Sequence, residues 1–339
     1  FFHFYAGCAD KICGQTLPID KPDMITLTLR EPLGVIAAVV PWNSQLFLVA
    51  VKIGPALAAG NTVVLKASEH ASAAMLEFGK LVEEVGFPAG VVNIVTGHAD
   101  PCGRALTSHP LVQRISFTGG TSAARHVVRN SAENFAQVSL ELGGKSPFIV
   151  FDDANIESAV NGSIAGIFGA SGQSCVAGSR LYLHNSIADQ FLDKMLLQAQ
   201  NIKLGDPLED ATQMGPLATY AQIEHVERQV EIAKAEGGNI LTGGDRDNTP
   251  DIGWYYPPTI VECPRQNLTI VGTELFGPVL SVLRFDDEDE VLKMANDSQY
   301  GLAAGVFTRD GARALRMTKA LRDGIVWVNT YRVVSPIAE

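Results

Sequence analysis

Short apolar runs alternate with stretches of helical periodicity along the first 142 residues. The run Val35–Val40 is typical of a strand that is buried on both faces. Four more strands are predicted at Thr62–Leu65, Val91–Val95, Arg114–Phe117 and Gln137–Leu142. Helices are predicted at Leu46–Ala59 and Ser72–Val85, in the connection before Arg114, and after the turn Thr118–Thr121. Such alternation predicts a parallel sheet with helices on both faces.

The same alternation resumes after a glycine and proline cluster at Gly144–Pro147. Helices are predicted at Ile156–Phe168, Ile187–Ala199, Thr219–Glu236, Glu288–Ala295 and Asp310–Leu321. Strands are predicted at Leu181–Leu183, Val279–Phe285, Ala304–Phe307 and Val326–Val328, and a polar surface turn at Gly243–Pro250. The chain is therefore predicted to be an α/β protein with two domains, residues 1–145 and 146–339.

Composition narrows the classes of partner. With 339 residues, 46% of them apolar, the chain is long enough for two domains with large cores. The net charge of −11 argues against nucleic acids and anionic membrane surfaces as partners. No apolar run approaches the roughly 20 residues of a membrane span.

The cysteines and histidines do not form recognisable structural patterns. Five scattered cysteines do not suggest a disulfide framework, so a reducing compartment, the cytoplasm, is expected. The sequence has no CxxC pair and no HExxH motif, and we therefore predict no metal site.

Two stretches carry the chemistry of a covalent reaction. Cys175 lies among small residues in Gly172–Gly178, where backbone amides can approach a developing oxyanion. Glu141 ends a strand predicted to be buried and precedes two glycines, so a solvated surface charge is not expected there. A buried structural cysteine and a salt-bridged carboxylate are the ordinary alternatives. Together, a thiol and a carboxylate suit nucleophilic attack followed by activation of water.

Polar residues also follow the predicted strands of the first domain. Asn43 could donate its amide to an oxyanion, although helix capping is the ordinary role of such a residue. Lys66 and Glu69 are placed to bind sugar hydroxyls, or else are a surface lysine and a first-turn glutamate. The turn Thr118–Thr121 offers backbone amides to a pyrophosphate, but the first domain contains no GxGxxG.

The ordered set of these motifs resembles the aldehyde dehydrogenase superfamily over essentially the whole chain. The motifs are Pro41-Trp42-Asn43, Lys66-Ala67-Ser68-Glu69, Phe117-Thr118-Gly119-Gly120-Thr121, Glu141-Leu142-Gly143-Gly144-Lys145-Ser146-Pro147, Gly172-Gln173-Ser174-Cys175 and Glu274-Leu275-Phe276-Gly277-Pro278-Val279. Each is weak to moderate alone, whereas the ordered set is highly specific.

The resemblance implies four catalytic residues. Cys175 would be the nucleophile, Glu141 the general base, and Asn43 part of the oxyanion hole with the Cys175 amide. Lys52 would lie near a proton path. The implied reaction oxidises an aldehyde to a carboxylic acid through a cysteine thiohemiacetal and thioester.

The resemblance also implies a nicotinamide cofactor. Because a carboxylate at Glu69 would repel the extra phosphate of NADP, NAD is favoured and NADP is the alternative. The implied cofactor residues are Val40, Pro41, Trp42, Lys66, Ser68, Glu69, Gly103, Phe117, Thr118, Gly119, Gly120, Leu142, Gly143, Glu274 and Phe276.

The family fold implies a Rossmann-like parallel-sheet cofactor domain, an α/β catalytic domain and a bridging β-hairpin. The hairpin would fall at residues 14–34 and would build a homodimer or homotetramer of the full-length protein. The chain would be part of a longer protein that extends beyond both of its ends.

The sequence leaves the identity of the aldehyde open. Six residues are expected to line its pocket: Ser44, Phe47, Leu48, Val51, Ser174 and Val176. Arg332 could face this pocket and favour a polar or anionic aldehyde, or be a surface arginine.

Three alternative functions remain open from the sequence. A relative that passes its acyl group to coenzyme A would commonly lack a glutamate at position 141. A cysteine hydrolase would need a base such as His184, which reads as the end of a strand. A catalytically silent binding homologue is the third alternative.

Overall fold

The computed structural model describes residues 1–247 and 249–337, which divide into two compact units. The first unit comprises Phe1–Leu142 with the segment that begins at Ser335, and the second comprises Gly143–Val334. The assignment of a cofactor domain to 1–145 and a catalytic domain to 146–339 stays a prediction. Asn248 of the predicted surface turn, and residues 338 and 339 of the predicted second domain, lie outside the described residues.

The first unit contains a five-stranded parallel sheet. Its strands are β3 (Val35–Val39), β4 (Thr62–Lys66), β5 (Val92–Val95), β6 (Val112–Thr118) and β7 (Gln137–Glu141). They are ordered β5-β4-β3-β6-β7, so the first of them along the chain, β3, is central and the later strands lie on either side of it. The helices of this unit are α1 (Phe2–Ala6), α2 (Gln45–Ala58), α3 (Ala73–Glu84), α4 (Arg104–Thr107) and α5 (Thr121–Ser131).

Burial on both faces of the central strand confirms its prediction from the apolar run. Ile36 and Ala38 point to one face, where they pack with Val49 of α2 and Met75 of α3. Ala37 points to the other face, in a cluster with residues of β6 and α5. Because side chains alternate along a strand, a strand covered by helices on both sides has no polar face.

The expectation that Glu141 ends a buried strand is wrong. β7 forms one edge of the sheet, and Gln137, Leu140 and Glu141 are exposed along it. An edge strand has a neighbouring strand on one side only, so its apolar side chains need not be buried. Glu141 is therefore a solvated carboxylate in this structure.

A separate two-stranded antiparallel sheet occupies the region of the predicted hairpin. β1 (Gln15–Leu17) pairs with β2 (Thr26–Thr28), with Thr16 opposite Leu27. Most of its residues are exposed, including Leu17 and Leu27. Its bridging role in an oligomer stays a prediction.

The second unit contains a seven-stranded sheet. Its strands are β8 (Pro147–Val150), β9 (Arg180–His184), β10 (Asn239–Thr242), β11 (Thr259–Glu262), β12 (Val279–Phe285), β13 (Ala303–Phe307) and β14 (Ile325–Val328). They are ordered β10-β11-β12-β9-β8-β13-β14 and are parallel except for the edge strand β10. The α/β fold class is confirmed, but the second sheet is mixed rather than wholly parallel.

Helices cover both faces of this sheet. They are α6 (Ile156–Phe168), α7 (Asn185–Gln200), α8 (Tyr220–Ala235), α9 (Thr269–Gly272), α10 (Glu288–Asn296) and α11 (Gly311–Ala320). One core lies between the sheet and α6 and α7, and the other lies against α8 to α11.

The five helices predicted in this half are confirmed. Side chains of Asn155, Thr219, Asp287 and Asp310 accept hydrogen bonds from the first turns of α6, α8, α10 and α11. Such capping residues mark helix starts in a sequence. β8, β10 and β11 were not predicted, and each has four residues.

Within residues 1–247 and 249–337, no helix combines the length and the apolar character that crossing a lipid bilayer requires.

Candidate functional site

A cavity of about 560 Å³ opens in the first unit beyond the ends of β3, β4 and β6. Strand order reverses between β3 and β6, and ligands of open parallel sheets bind beyond the strand ends at such a point. The predicted cofactor residues that line it are Val40, Pro41, Trp42, Lys66, Ser68, Glu69, Gly103, Phe117, Thr118, Gly119 and Gly120. Leu142 does not line it and instead packs partly against the core of the unit.

Lys66 and Glu69 lie together on one wall of this cavity. Lys66 is buried, its Nζ donates to the Ala67 carbonyl at 3.1 Å, and it lies 3.9 Å from Glu69 Oε2. The lysine side chain passes over Gly103, where an added Cβ would lie 3.6 Å from its Cε. A cation and a carboxylate at one end of a cavity suit the hydroxyls of a ribose.

The turn between β6 and α5 forms another wall. Gly120 is the N-cap residue of α5 and offers no side-chain cap, which leaves amide groups of the first turn available to an anion. The buried Thr118 hydroxyl has no hydrogen-bond partner among the described residues. Buried hydroxyls are nearly always satisfied. An oxygen-rich ligand such as a dinucleotide fits this wall, since it would supply the acceptors that the turn lacks.

Sequence reasoning missed several residues of the cavity. They are Val39, His70, Ala99, Asp100, Arg104, Thr107, Ala123, His126, Val127 and Asn130. Ala123, His126 and Asn130 follow the helical spacing of α5, so its amphipathic pattern could have identified them. Asp100 lies in an irregular connection and Arg104 begins the four-residue helix α4, and neither segment carried such a signal.

Asn43 and four of the six predicted pocket residues, namely Ser44, Phe47, Leu48 and Val51, lie just before α2 or along it. Asn43 is half-buried, and the following Ser44 has a left-handed backbone with φ of 49°. Non-glycine residues adopt this conformation at a cost and cluster at functional sites. Phe47 and Ser44 are exposed, Val51 is half-buried, and Leu48 packs partly against the core.

Lys52 lies on the buried side of α2. Its Nζ donates to the Ser116 hydroxyl of β6 at 3.0 Å. Burial lowers the pKa of Lys52 to about 8, although the Glu141 carboxylate acts in the opposite direction. An amine with a pKa near the working pH can accept and release protons.

In the second unit, the loop that carries Cys175 has an unusual backbone. Ala170, Ser171 and Gly172 all have positive φ, of 56°, 55° and 70°. The Ser171 hydroxyl donates to the Gly215 carbonyl at 2.8 Å, and a Cβ at Gly172 would lie 2.1 Å from the Gly277 carbonyl oxygen. Successive left-handed residues persist only where surrounding contacts hold them, which makes this a rigidly held turn.

Cys175 itself is half-buried between two fixed segments. A Cβ at Gly144 would lie 2.4 Å from the Cys175 carbonyl oxygen. The Tyr331 hydroxyl donates to the Val176 carbonyl at 3.0 Å, and Ser174 is buried. The backbone on both sides of the thiol is therefore held by contacts with other loops.

Glu274 and Phe276 lie on a turn near this loop. Glu274 Oε1 accepts a hydrogen bond from the Gly144 amide at 3.0 Å, and burial raises the pKa of the Glu274 carboxyl. Gln222 of α8 donates to the carbonyls of Leu275 and Phe276 at 2.6 and 2.9 Å. Gln222 is a residue that the sequence motifs did not indicate.

The candidate residues come directly after strands in the first unit and before strands in the second. In the first unit, Asn43, Glu69 and Gly119 come after strands. In the second, Cys175 precedes β9, and Glu274 precedes β12. The rule that sites follow strand ends therefore holds for the first sheet only.

Two residues considered from the sequence have structural partners. The His184 ring caps α7, with Nδ1 2.8 Å from the Ser186 hydroxyl and Nε2 3.0 Å from the Asp286 carbonyl. Arg332 donates through one nitrogen to the carbonyls of Ala165 and Gly169 at 3.2 and 3.3 Å. Arg332 is half-buried at the C-terminal end of α6, rather than fully exposed.

Within the described residues, no group of three or more His, Cys, Asp or Glu residues could hold a metal ion.

Comparisons with known proteins agree with the motifs. The model of the aldehyde dehydrogenase family matches residues 1–338. The chain is 57% identical to a (Z)-2-((N-methylformamido)methylene)-5-hydroxybutyrolactone dehydrogenase of Acinetobacter baylyi, and covers it over 69% of its length with 100% of this chain. It is 42% identical to a chloroplastic betaine aldehyde dehydrogenase of Atriplex hortensis, with 97% of this chain and 66% of that protein covered.

A solved structure is similarly close. An NAD+ complex of an aldehyde dehydrogenase from Bacillus cereus has a TM-score of 0.96 at 41% identity, over 99% of this chain and 68% of that one. The chain thus spans about two thirds of the length of these relatives. The relatives support NAD(P)-dependent oxidation of aldehydes to acids, the function that the motifs implied. The chain belongs to the aldehyde dehydrogenase family.

Proposed function

We propose that the whole protein oxidises an aldehyde to a carboxylic acid, with Cys175 as the nucleophile and water as the final acyl acceptor. The rigidly held loop at Cys175 is the observation that carries this proposal. Three successive left-handed residues precede the thiol, and Gly144 and Tyr331 contact the backbone beside it. A nucleophile must be held close to its attack geometry, because small displacements are costly.

The thiolate of Cys175 forms the bond to the carbonyl carbon, and the former carbonyl oxygen becomes an oxyanion. Asn43 and the Cys175 amide donate to this oxyanion. NAD+ supplies the acceptor for hydride when it is bound. Loss of hydride from the former aldehyde carbon re-forms the carbonyl and leaves an acyl thioester on Cys175. Glu141 then takes a proton from water, and the hydroxide displaces the thiolate to release the acid.

The exposure of Glu141 suits the role of a base for water. A solvated carboxylate on an edge strand can reach solvent water and return its proton to solvent. Lys52, whose pKa burial lowers to about 8, interacts electrostatically with Glu141 and serves the proton path. A water acceptor is favoured over coenzyme A because position 141 carries this carboxylate.

NAD is the proposed cofactor, with NADP as the alternative. Lys66 and Glu69 would hold the adenosine ribose, Gly119 and Gly120 the pyrophosphate, and Trp42 would lie nearby. The Glu69 carboxylate would repel a phosphate on the ribose. Glu274 and Phe276 would position the nicotinamide ribose, and Leu142 and Gly143 are proposed to contact the cofactor.

The substrate is proposed to be a small aldehyde, which Ser44, Phe47, Leu48, Val51, Ser174 and Val176 would surround. One relative is named as a betaine aldehyde dehydrogenase and another as a hydroxyisobutyraldehyde dehydrogenase. Both names indicate small polar aldehydes, and we extend that class to this protein. The orientation of Arg332 toward the pocket stays a prediction.

Oligomerisation and location are further proposals. The exposed apolar side chains of the β1–β2 hairpin, Leu17 and Leu27 among them, suit a homodimer or homotetramer of the full-length protein. The five cysteines form no disulfide, which is consistent with the cytoplasm.

The decisive experiment replaces Cys175 by alanine in the full-length protein. NADH formation from a panel of aldehydes should disappear, whereas Cys13→Ala, which changes an exposed cysteine, should leave it intact. NADH formation by the Cys175→Ala variant at the wild-type rate would refute the mechanism. Product analysis with and without coenzyme A identifies the acyl acceptor.

A further inference from the structure

Lys145 is an ammonium group that the proposed mechanism does not use. Its side chain is 1% exposed, and its Nζ has no hydrogen-bond partner among the described residues. The other buried cation nearby, Arg180, donates to the carbonyls of Lys145 and Ala295 at 2.7 and 2.8 Å. A buried charge without hydrogen bonds is destabilising, so its presence calls for an explanation.

The carboxylate of Glu274 lies along the backbone just before Lys145. Its Oε1 accepts from the Gly144 amide at 3.0 Å, and a Cβ at Gly143 would lie 1.9 Å from Oε2. Consecutive Cα atoms are about 3.8 Å apart, which places the carboxylate near the Lys145 segment. Burial lowers the pKa of Lys145 and raises that of Glu274. The two charges oppose these shifts, since Glu274 acts to raise the pKa of Lys145 and Lys145 acts to lower that of Glu274.

Other titratable groups around the pair do not provide its countercharge. Burial raises the pKa of the Cys263 thiol to about 11, which leaves it neutral at neutral pH. Arg180 is a cation and repels Lys145. His225 and Tyr300 interact with the main chain of Glu274, and burial keeps both toward their neutral forms. Glu274 is the acid of this group that can balance the buried ammonium.

We propose that Lys145 is a positioning residue for Glu274: its buried ammonium keeps the Glu274 carboxylate ionised and docked on Gly143 and Gly144, ready to accept from the nicotinamide ribose. This inference rests on the proposed cofactor role of Glu274. An ionised carboxylate binds hydroxyl donors more strongly than a protonated one, whereas burial alone would favour protonation.

The proton on Lys145 is lost near neutral pH in the folded protein. Burial, reinforced by Arg180, lowers the pKa of Lys145 to about 7. Above this pH the ammonium becomes neutral and Glu274 loses its countercharge. The affinity for NADH should therefore fall as the pH rises through about 7, a step that a merely structural lysine would not produce.

The test measures NADH binding by fluorescence titration of the full-length protein, together with its unfolding free energy. Lys145→Met keeps the length of the side chain and removes the charge. We expect its dissociation constant for NADH to rise about tenfold, as for a lost charge-assisted hydrogen bond, and its pH step to vanish. Its unfolding free energy should be lower, because Glu274 is left without its countercharge. Lys194→Met, at an exposed lysine of α7, is the matched control and should bind NADH like the wild type.

A double-mutant cycle separates positioning from structure. Glu274→Gln should weaken NADH binding, and adding Lys145→Met to that variant should weaken it no further. Equal binding by Lys145→Met and the wild type, or an undiminished effect of Lys145→Met in the Glu274→Gln background, would overturn the inference. If Lys145→Met does not fold, the pH step decides, since it should be present in the wild type and absent from Glu274→Gln.

The NADH-binding test of Lys145 is independent of the test of the proposed reaction. If Lys145 does not position Glu274, turnover through Cys175 is unaffected. Wild-type affinity in Glu274→Gln would overturn both the cofactor role of Glu274 and this inference, and the Cys175→Ala assay would still test the reaction.

Discussion

Replacing Gly144 by alanine tests whether close backbone packing holds the nucleophile in place. A Cβ at position 144 would lie 2.4 Å from the Cys175 carbonyl oxygen. Because a carbon–oxygen contact needs about 3.3 Å, one of the two segments must move by about 0.9 Å. The bond from the Gly144 amide to Glu274 is retained in the variant, since alanine keeps its amide.

The expected loss follows from this displacement. A misplacement of about 1 Å at a reacting group costs roughly 10²-fold in rate. Overpacking of a filled site also costs about 1–3 kcal/mol of unfolding free energy. We therefore expect kcat to fall about a hundredfold while the protein remains folded.

The assay compares NADH formation by full-length Gly144→Ala, wild type and a control, with stability measured by urea unfolding. Gly311→Ala is the control, because a Cβ there would have no atom of residues 1–247 and 249–337 within 4 Å, and the residue begins helix α11. It should keep wild-type kcat and gain up to about 1 kcal/mol of stability. A folded Gly144→Ala variant with kcat within about threefold of wild type would show that the contact does not position the thiol.

Three further variants test the first unit. Glu69→Gln should raise the ratio of NADP+ to NAD+ efficiency about tenfold, because the carboxylate that would repel a ribose phosphate is gone; an unchanged ratio in steady-state kinetics contradicts that role. Lys52→Met should remove a pH dependence of the unfolding free energy. Burial lowers the pKa of Lys52 in the folded protein to about 8. Above that pH the unfolded state therefore binds more protons than the folded state, and the wild type becomes more stable as the pH rises. Relative to the variant, the gain between about pH 8 and pH 10 should be about 2 kcal/mol in urea unfolding, and parallel pH profiles would refute it. Thr118→Val should raise stability by about 1 kcal/mol because it removes an unsatisfied hydroxyl, yet weaken NADH binding severalfold; improved stability without weaker binding would place Thr118 outside the cofactor site.

Periodicity and capping residues were sufficient for most helices. α6 has the predicted bounds Ile156–Phe168, and α2, α3, α7, α8, α10 and α11 differ from prediction by one or two residues at their ends. A helix buries one apolar face, and the spacing of those apolar residues can be recognised within a single short stretch of sequence. β8 is buried at all four positions, and a short apolar run cannot be told from a buried helix segment by periodicity alone.

Burial could not be read from the same patterns. The sequence of Gln137–Glu141 predicts a buried strand, but its position at the edge of the sheet leaves Glu141 exposed. Lysine is usually a surface residue, but Lys145 is buried and its ammonium has no hydrogen-bond partner in the described part of the chain. Which side of a strand has a neighbour depends on the order of strands in the sheet, which residues distant in sequence determine together.

The sequence by itself determined the α/β class, the family and the identity of the candidate nucleophile, because these depend on local periodicity and on motifs in a fixed order. Only the tertiary structure decided that predicted cofactor residues from four separate segments surround one cavity. It also decided that Gly144 contacts both Cys175 and Glu274, which lie 31 and 130 residues away along the chain. Such contacts arise when strands far apart in sequence become neighbours in a sheet, and no local pattern encodes that distance.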